Sequence, residues 1–189
     1  DGSQYKMEFS KGQVIEPLKK ATATVRGTGT SITFTPDPTI FPKIQFDSAT
    51  IKNRLEVTSY LHRGVKVIYV DEQAGTRESF FHEQGIQDYL NKVLKERNAR
   101  PIHETHYTLR RDEPDRMEIV LCWTEATDEH VRSYVNGIPT GSGGTHENGF
   151  RSGLNKAVRN YYETHELIPR GVKIAPEDIR EGLVAIVSV

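Results

Sequence analysis

The chain has 189 residues, a formal net charge of -1, 35% hydrophobic residues and 27% charged residues, an ordinary balance for a soluble globular protein long enough to bury a real core. That balance excludes a global basic field, so any contact with nucleic acid would need a local patch. The single cysteine, Cys122, excludes an internal disulfide and fits a reducing cytoplasm, and no apolar run approaches membrane length. The first residue is Asp1 rather than methionine and the last, Val189, stands inside an apolar run, so a segment of something longer is expected.

In chain order, Tyr5 to Ser10 alternates as a strand, Lys11-Gly12 turns it, and Gln13 to Glu16 returns, with Pro17 expected to close the strand. Lys19, Lys20 and the stretch 21–24 read as a solvent-facing edge. Gly27-Thr28-Gly29-Thr30 precedes an expected strand from Ser31 to Thr35, broken by Pro36-Asp37-Pro38. A helix is predicted from an N-cap at Ser48 to about His62, burying Ile51, Leu55, Thr58 and Leu61. A hairpin follows, Val65 to Val70 and Arg77 to His82 around a turn at 71–75. Gly85 then opens a helix whose Ile86, Tyr89, Leu90, Val93 and Leu94 fall on one face. Three strands come next, Thr105 to Arg110, Met117 to Trp123 and His130 to Val135.

The stretch 134–162 organises the rest. It reads as a strand end, a glycine-rich loop at 136–144 and a long amphipathic helix. Thr145 suits the N-cap, and Glu147 places negative charge where the helix dipole favours it. Phe150, Leu154, Ala157, Val158 and Tyr161 make an apolar stripe, and Glu147, Arg151, Asn155, Arg159 and Glu163 a polar one. Gly149 and Gly153 share a face, each costing roughly 1 kcal/mol against alanine, which implies that something packs very close there. After a turn at Pro169-Arg170-Gly171, a short strand is expected at 172–175 and a helical turn at 176–180 with proline at its first position. Leu183 to Val189 is almost wholly apolar and reads as a central buried strand. The class is α+β, with eight to ten strands, three helices and a candidate domain boundary at Gly85, giving units 1–84 and 85–189.

Few motifs carry chemistry. Gly27-Thr28-Gly29-Thr30 lacks the Gly-Lys-Ser/Thr of a phosphate-binding loop and is more simply a turn. His103 and His106 are three apart entering a strand, on opposite faces, so no metal site is expected. Gly143-Gly144-Thr145-His146 suits either a phosphate cradle at a helix N-terminus or a tight turn. Arg180-Glu181-Gly182 reads as a charged pair and a glycine fixing a turn. None of this defines a reaction.

Three longer stretches carry a resemblance: TGTSITFTPDPTIF at Thr28 to Phe41, NGIPTGSGGTHENGFR at Asn136 to Arg151, and EDIREGLVAIVSV at Glu177 to Val189. In order and spacing they resemble the ATPase region of bacterial type II DNA topoisomerase B subunits, the family of the gyrase and topoisomerase IV B subunits. The resemblance implies that residues 1–84 are the C-terminal part of a GHKL ATP-binding domain. It implies that 85–189 begin a transducer domain with a ribosomal-protein-like fold and a βαβ crossover. In that family ATP binding dimerises two B subunits into a gate that captures DNA, and the transducer relays nucleotide state to a core shared with the topoisomerase A subunit.

Carried over residue by residue, Gly29 and Thr30 back the adenine pocket. Lys6 stands about where the family often has an arginine at its rim, a departure. Arg151 matches an arginine that lines the cavity through which DNA passes, and its chemistry suits either a phosphate contact or a solvated place on an exposed helix face. Gly143, Gly144, Thr145, His146, Gly149 and Gly153 belong to the relay element, and Arg180, Glu181 and Gly182 to a strand entry. The family's catalytic glutamate, magnesium-binding asparagine and glycine-rich lid match nothing in these 189 residues, nor does its Gln-Thr-Lys loop. ATP and magnesium are therefore expected to bind in the intact subunit and poorly to this chain alone, which would hydrolyse no ATP. No membrane partner is implied, and the location is cytoplasmic. A stand-alone nucleic-acid-binding module with the transducer fold, or a mismatch-repair or chaperone relative, is the rival reading. Thr28 to Phe41 argues against both. The sequence does not separate gyrase from topoisomerase IV.

Overall fold

A computed structural model describes residues 2–24 and 26–189, which form two compact units divided between Asp47 and Ser48. In the first, β1 (Ser3–Ser10) and β2 (Gln13–Thr24) form an antiparallel hairpin. Its two-residue turn is Lys11-Gly12, both at positive φ as a turn matching the strand twist requires. The second strand runs on through Pro17 rather than stopping there. The ladder pairs Glu8 with Glu16 and Lys6 with Lys19, so a bulge absorbs Pro17, the one residue without an amide to donate. The edge expected at 21–24 lies mostly on side chains outside the described residues.

Ser31 to Thr35 is not a strand. Its backbone groups have no strand alongside among the described residues, and Ile32 and Phe34 are 83% and 69% exposed. Propensity alone does not make a ladder. Beyond it, the Asp37 carboxylate accepts from the Thr39 amide at 2.8 Å and its hydroxyl at 2.7 Å, closing a turn.

The second unit begins with α1 (Ser48–Leu61), the hairpin β3 (Val67–Asp71) and β4 (Thr76–Phe80), and α2 (Ile86–Glu96). Ser48 donates to the Asp71 carboxylate at 2.7 Å, tying α1 to β3. The buried residues of α1 are Val57, Ser59, Tyr60 and Leu61, so its interior is concentrated in the last turn rather than spread over Ile51, Leu55 and Thr58. All five expected positions of α2 are buried.

The main sheet contains β5 (Tyr107–Arg111), β6 (Met117–Trp123), β7 (His130–Val135), β8 (Ile138–Pro139) and β9 (Leu183–Ser188), in the order β5-β6-β9-β7-β8. Only β7 and β9 are parallel, and α3 (Thr145–Thr164) and α4 (Pro176–Arg180) lie in the connection between them. The strand at 172–175 does not form. The period of two in β9 divides the core. Val184 and Ile186 join Val120, Cys122, Tyr134, α1 and α2 on one face. Leu183, Ala185 and Val187 join Ile119, Leu121 and Phe150 on the other. Burial pushes the Cys122 thiol up to about 11, which leaves it an inert packing group. The mixed α/β architecture expected from the sequence is thus present.

Candidate functional site

The glycine-rich stretch is two turns, not one loop. Val135 pairs with Ile138 across Asn136 (φ 49°) and Gly137 (φ 76°), a tight hairpin joining β7 to β8. A second turn then closes at Gly143, whose amide donates to the Thr140 carbonyl at 2.8 Å. The cap of α3 is Gly144 in extended backbone, and Thr145 is the first helical residue. Asn148 reaches back to the Gly144 carbonyl at 3.0 Å.

Glu147, on the polar stripe of α3, is withdrawn from solvent. It is buried, and its carboxylate accepts from Ser133 at 2.6 Å and from Arg151 at 2.6 Å. Burial alone would raise its pKa, but those donors outweigh it and hold the group below the usual carboxylate value. Ionised Glu147 fixes the direction of a chain of hydrogen bonds. Ser133 spends its one proton on Glu147, so Thr140 must donate to Ser133 across their 2.7 Å contact. Thr140 then accepts from His146 Nε2 at 3.1 Å, which sets the proton on Nε2.

The chain continues through charge. Arg151 also donates to Glu129 at 2.6 Å, Arg180 meets the second oxygen of Glu129 at 3.1 Å, and Arg180 reaches Glu177 at 3.3 Å. One partly buried network therefore joins the start of α3, β7, the turn after β8 and the end of α4. Sequence reasoning missed Glu129, Ser133 and Thr140, because no local period marks residues that meet only in space. The guanidinium of Arg151, whose chemistry suits a phosphate contact, is engaged in this structure by two carboxylates.

Gly182 is fixed twice over. Its φ is +74°, and an added Cβ would lie 2.7 Å from the Ala126 carbonyl and closer still to that of Thr124. The Gly182 carbonyl also accepts from both the amide and the hydroxyl of Thr124, at 2.8 Å and 3.0 Å, and Trp123 Nε1 donates to the Ile179 carbonyl at 2.8 Å. Glu181, between them, is exposed. His103 is committed as well: Nδ1 donates to the Thr105 carbonyl at 2.6 Å and Nε2 accepts from the Trp123 amide at 3.0 Å. Among the described residues no group of three or more potential ligands stands ready for a metal.

The close packing expected at Gly149 and Gly153 is absent. An added Cβ at either meets nothing within 4 Å, because both face a groove of about 990 Å³ between α3 and the β5–β6 edge, with Leu109, Met117, Leu154 and Val189 in its walls. The apolar stripe of α3 is correspondingly short. Phe150 is buried, Leu154 half-buried, and Ala157 and Tyr161 are exposed. In the other unit Gly29 and Thr30 are exposed, and Lys6 pairs with Glu8.

The DNA gyrase B family model matches residues 85–189. The chain is 41% identical over 196 residues to the DNA gyrase B subunit of Chlamydia muridarum, covering all of this chain and 24% of that protein. It is 36% identical over 190 residues to the DNA topoisomerase 4 B subunit of Pseudomonas aeruginosa, covering all of this chain and 30% of that one. It thus spans about a quarter to a third of the length of these relatives. Its fold is similar to the 43K ATPase domain of Thermus thermophilus gyrase B, solved in complex with an aminocoumarin, with TM-score 0.80 and 30% identity, covering all of this chain and 52% of that one. No helix among the described residues is long and apolar enough to cross a membrane.

Proposed function

The chain belongs to the DNA gyrase B family, and on that premise we propose that it is the mechanical middle of an ATP-driven type II topoisomerase B subunit. Residues 1–84 are read as the end of a GHKL nucleotide domain and 85–189 as the start of a transducer. The observation that supports a relay role is the network centred on Glu129. It couples α3 to α4 and β7 through charge, while the apolar face of α3 stays half open. A helix held by a few switchable ion pairs over a roomy groove can shift as a unit at lower cost than one buried in a close-packed core.

In the intact subunit ATP and magnesium would drive that shift, with DNA, a second B subunit and the A subunit as partners. Gly29, Thr30 and Lys6 contribute to the adenine side and Arg151 to the wall of the DNA cavity. Gly143, Gly144, Thr145 and His146 form the turn that starts the moving helix. The 189 residues alone hydrolyse no ATP, because the family's catalytic glutamate matches none of them. Two measurements test this. Steady-state ATPase assay of the isolated chain is expected to give no turnover, and turnover near that of an intact B subunit overturns it. In an intact B subunit assayed with its A partner, Glu129→Gln is expected to keep ATP hydrolysis while slowing strand passage. Equal loss of both, or of neither, removes the relay role.

A further inference from the structure

On the opposite side of the sheet, α1, α2 and the β7–β8 hairpin enclose a second, smaller cleft of about 340 Å³, within the size range of small-ligand pockets. Its lining is rich in donors. Arg54, Lys92 and Arg132 face it against a single carboxylate, Glu96. Lys92 is paired with Glu56 at 2.5 Å and lies 3.8 Å from Glu96, and Arg132 meets Glu96 only at 3.5 Å. Arg54 is exposed and has no carboxylate partner among the described residues.

The two phenols in the wall add an independent observation. Tyr89 and Tyr134 are 2% and 5% exposed, and their hydroxyl oxygens are 2.7 Å apart. Arg132 donates to the Tyr89 oxygen at 3.0 Å. Two hydroxyls joined by one hydrogen bond use one of their two protons. If Tyr89 donates to Tyr134, the Tyr134 proton is left over; if Tyr134 donates, the Tyr89 proton is. In either arrangement one buried O–H has no acceptor among the described residues, and a buried donor left unpaired is costly.

We propose that this cleft binds a small phosphate-class anion, held by Arg54 and Arg132 and accepting a hydrogen bond from the spare tyrosine O–H. Phosphate supplies charged acceptor oxygens where three cationic side chains face the one carboxylate of Glu96, and guanidinium groups match its geometry. Glu96, exposed and only loosely held, can swing away as the anion enters. The size of the cleft admits inorganic phosphate or pyrophosphate but not a duplex. The site is independent of the nucleotide-driven role proposed above, since it rests on residues 53–139 alone.

The test uses the 189-residue chain, with binding followed by calorimetry and thermal melting in sodium phosphate or pyrophosphate against sodium chloride at equal ionic strength. Saturable binding and a raised melting temperature in phosphate are expected, with affinity at least tenfold lower in Arg54→Gln and unchanged in Arg100→Gln, whose arginine is exposed outside the cleft. Arg54→Gln should melt like the parent in chloride, because Arg54 holds nothing together. No phosphate-specific effect, an equal effect in Arg54→Gln, or an equal loss in Arg100→Gln overturns the proposal. So does binding of a short DNA duplex without binding of free phosphate.

Discussion

The two faces of the five-stranded sheet are built from the same alternating strands and are covered in different ways. On one, α1 and α2 fill the space beside the small cleft at the β7–β8 hairpin. Leu90, Val93, Val120, Cys122 and Ile186 are fully buried, and the rings of His82, Tyr60 and Tyr89 stack at 3.6 Å and 5.0 Å between centroids. On the other, α3 contributes Phe150 and part of Leu154 and then lifts away, leaving the groove and the two bare glycines. What positions α3 there is a set of ion pairs anchored on Glu129 and Glu147. The first face is held by volume and the second by charge. That difference predicts opposite responses to substitution, because filled space punishes loss of volume and open space rewards added helix propensity.

Leu90→Ala should have the largest effect. It removes a fully buried side chain between two helices and a sheet, and a loss of about 2–5 kcal/mol in denaturant unfolding is expected. A small loss would mean that this face is as loose as the other. Gly182→Ala comes next, at about 3 kcal/mol, combining an unfavourable positive φ with collision against two backbone carbonyls. Unchanged unfolding would show that the β9 entry can rearrange.

Glu147→Gln should cost about 2 kcal/mol at neutral pH, since it weakens hydrogen bonds from Ser133 and Arg151 to a charged acceptor. The effect must depend on pH. The folded carboxyl titrates below its unfolded value of about 4.3. Its contribution is therefore full above that pH and is lost as the pH falls through the folded value. Unfolding curves of parent and variant should converge in acid, and a gap that persists there would contradict charge as the anchor.

Gly153→Ala, and Gly149→Ala with it, should have the smallest effect and the opposite sign. Each is expected to stabilise the isolated chain by up to about 1 kcal/mol, with the groove accepting the methyl group. A melting temperature that falls instead would mean that the groove closes in solution.

How much of this was legible beforehand follows from the range of the interactions involved. The pattern of α2 and the apolar run of β9 pointed to buried elements, because hydrophobic period is a local property and both elements bury what their period implies. The Asn136-Gly137 hairpin was read only as part of a glycine-rich loop, although two positive φ angles in sequence suit few other pairs. The longer motifs were sufficient to indicate the family. The strand expected at 31–35 failed because a strand exists only through a neighbour, and the glycine pair of α3 misled because spacing shows which residues share a face but not what lies opposite. The polar networks on both sides of the sheet were hidden for the same reason. Glu129 meets Arg180 across 51 positions and Tyr89 meets Tyr134 across 45, and charge and hydrogen bonding at such separations are decided only when the sheet brings the strands together.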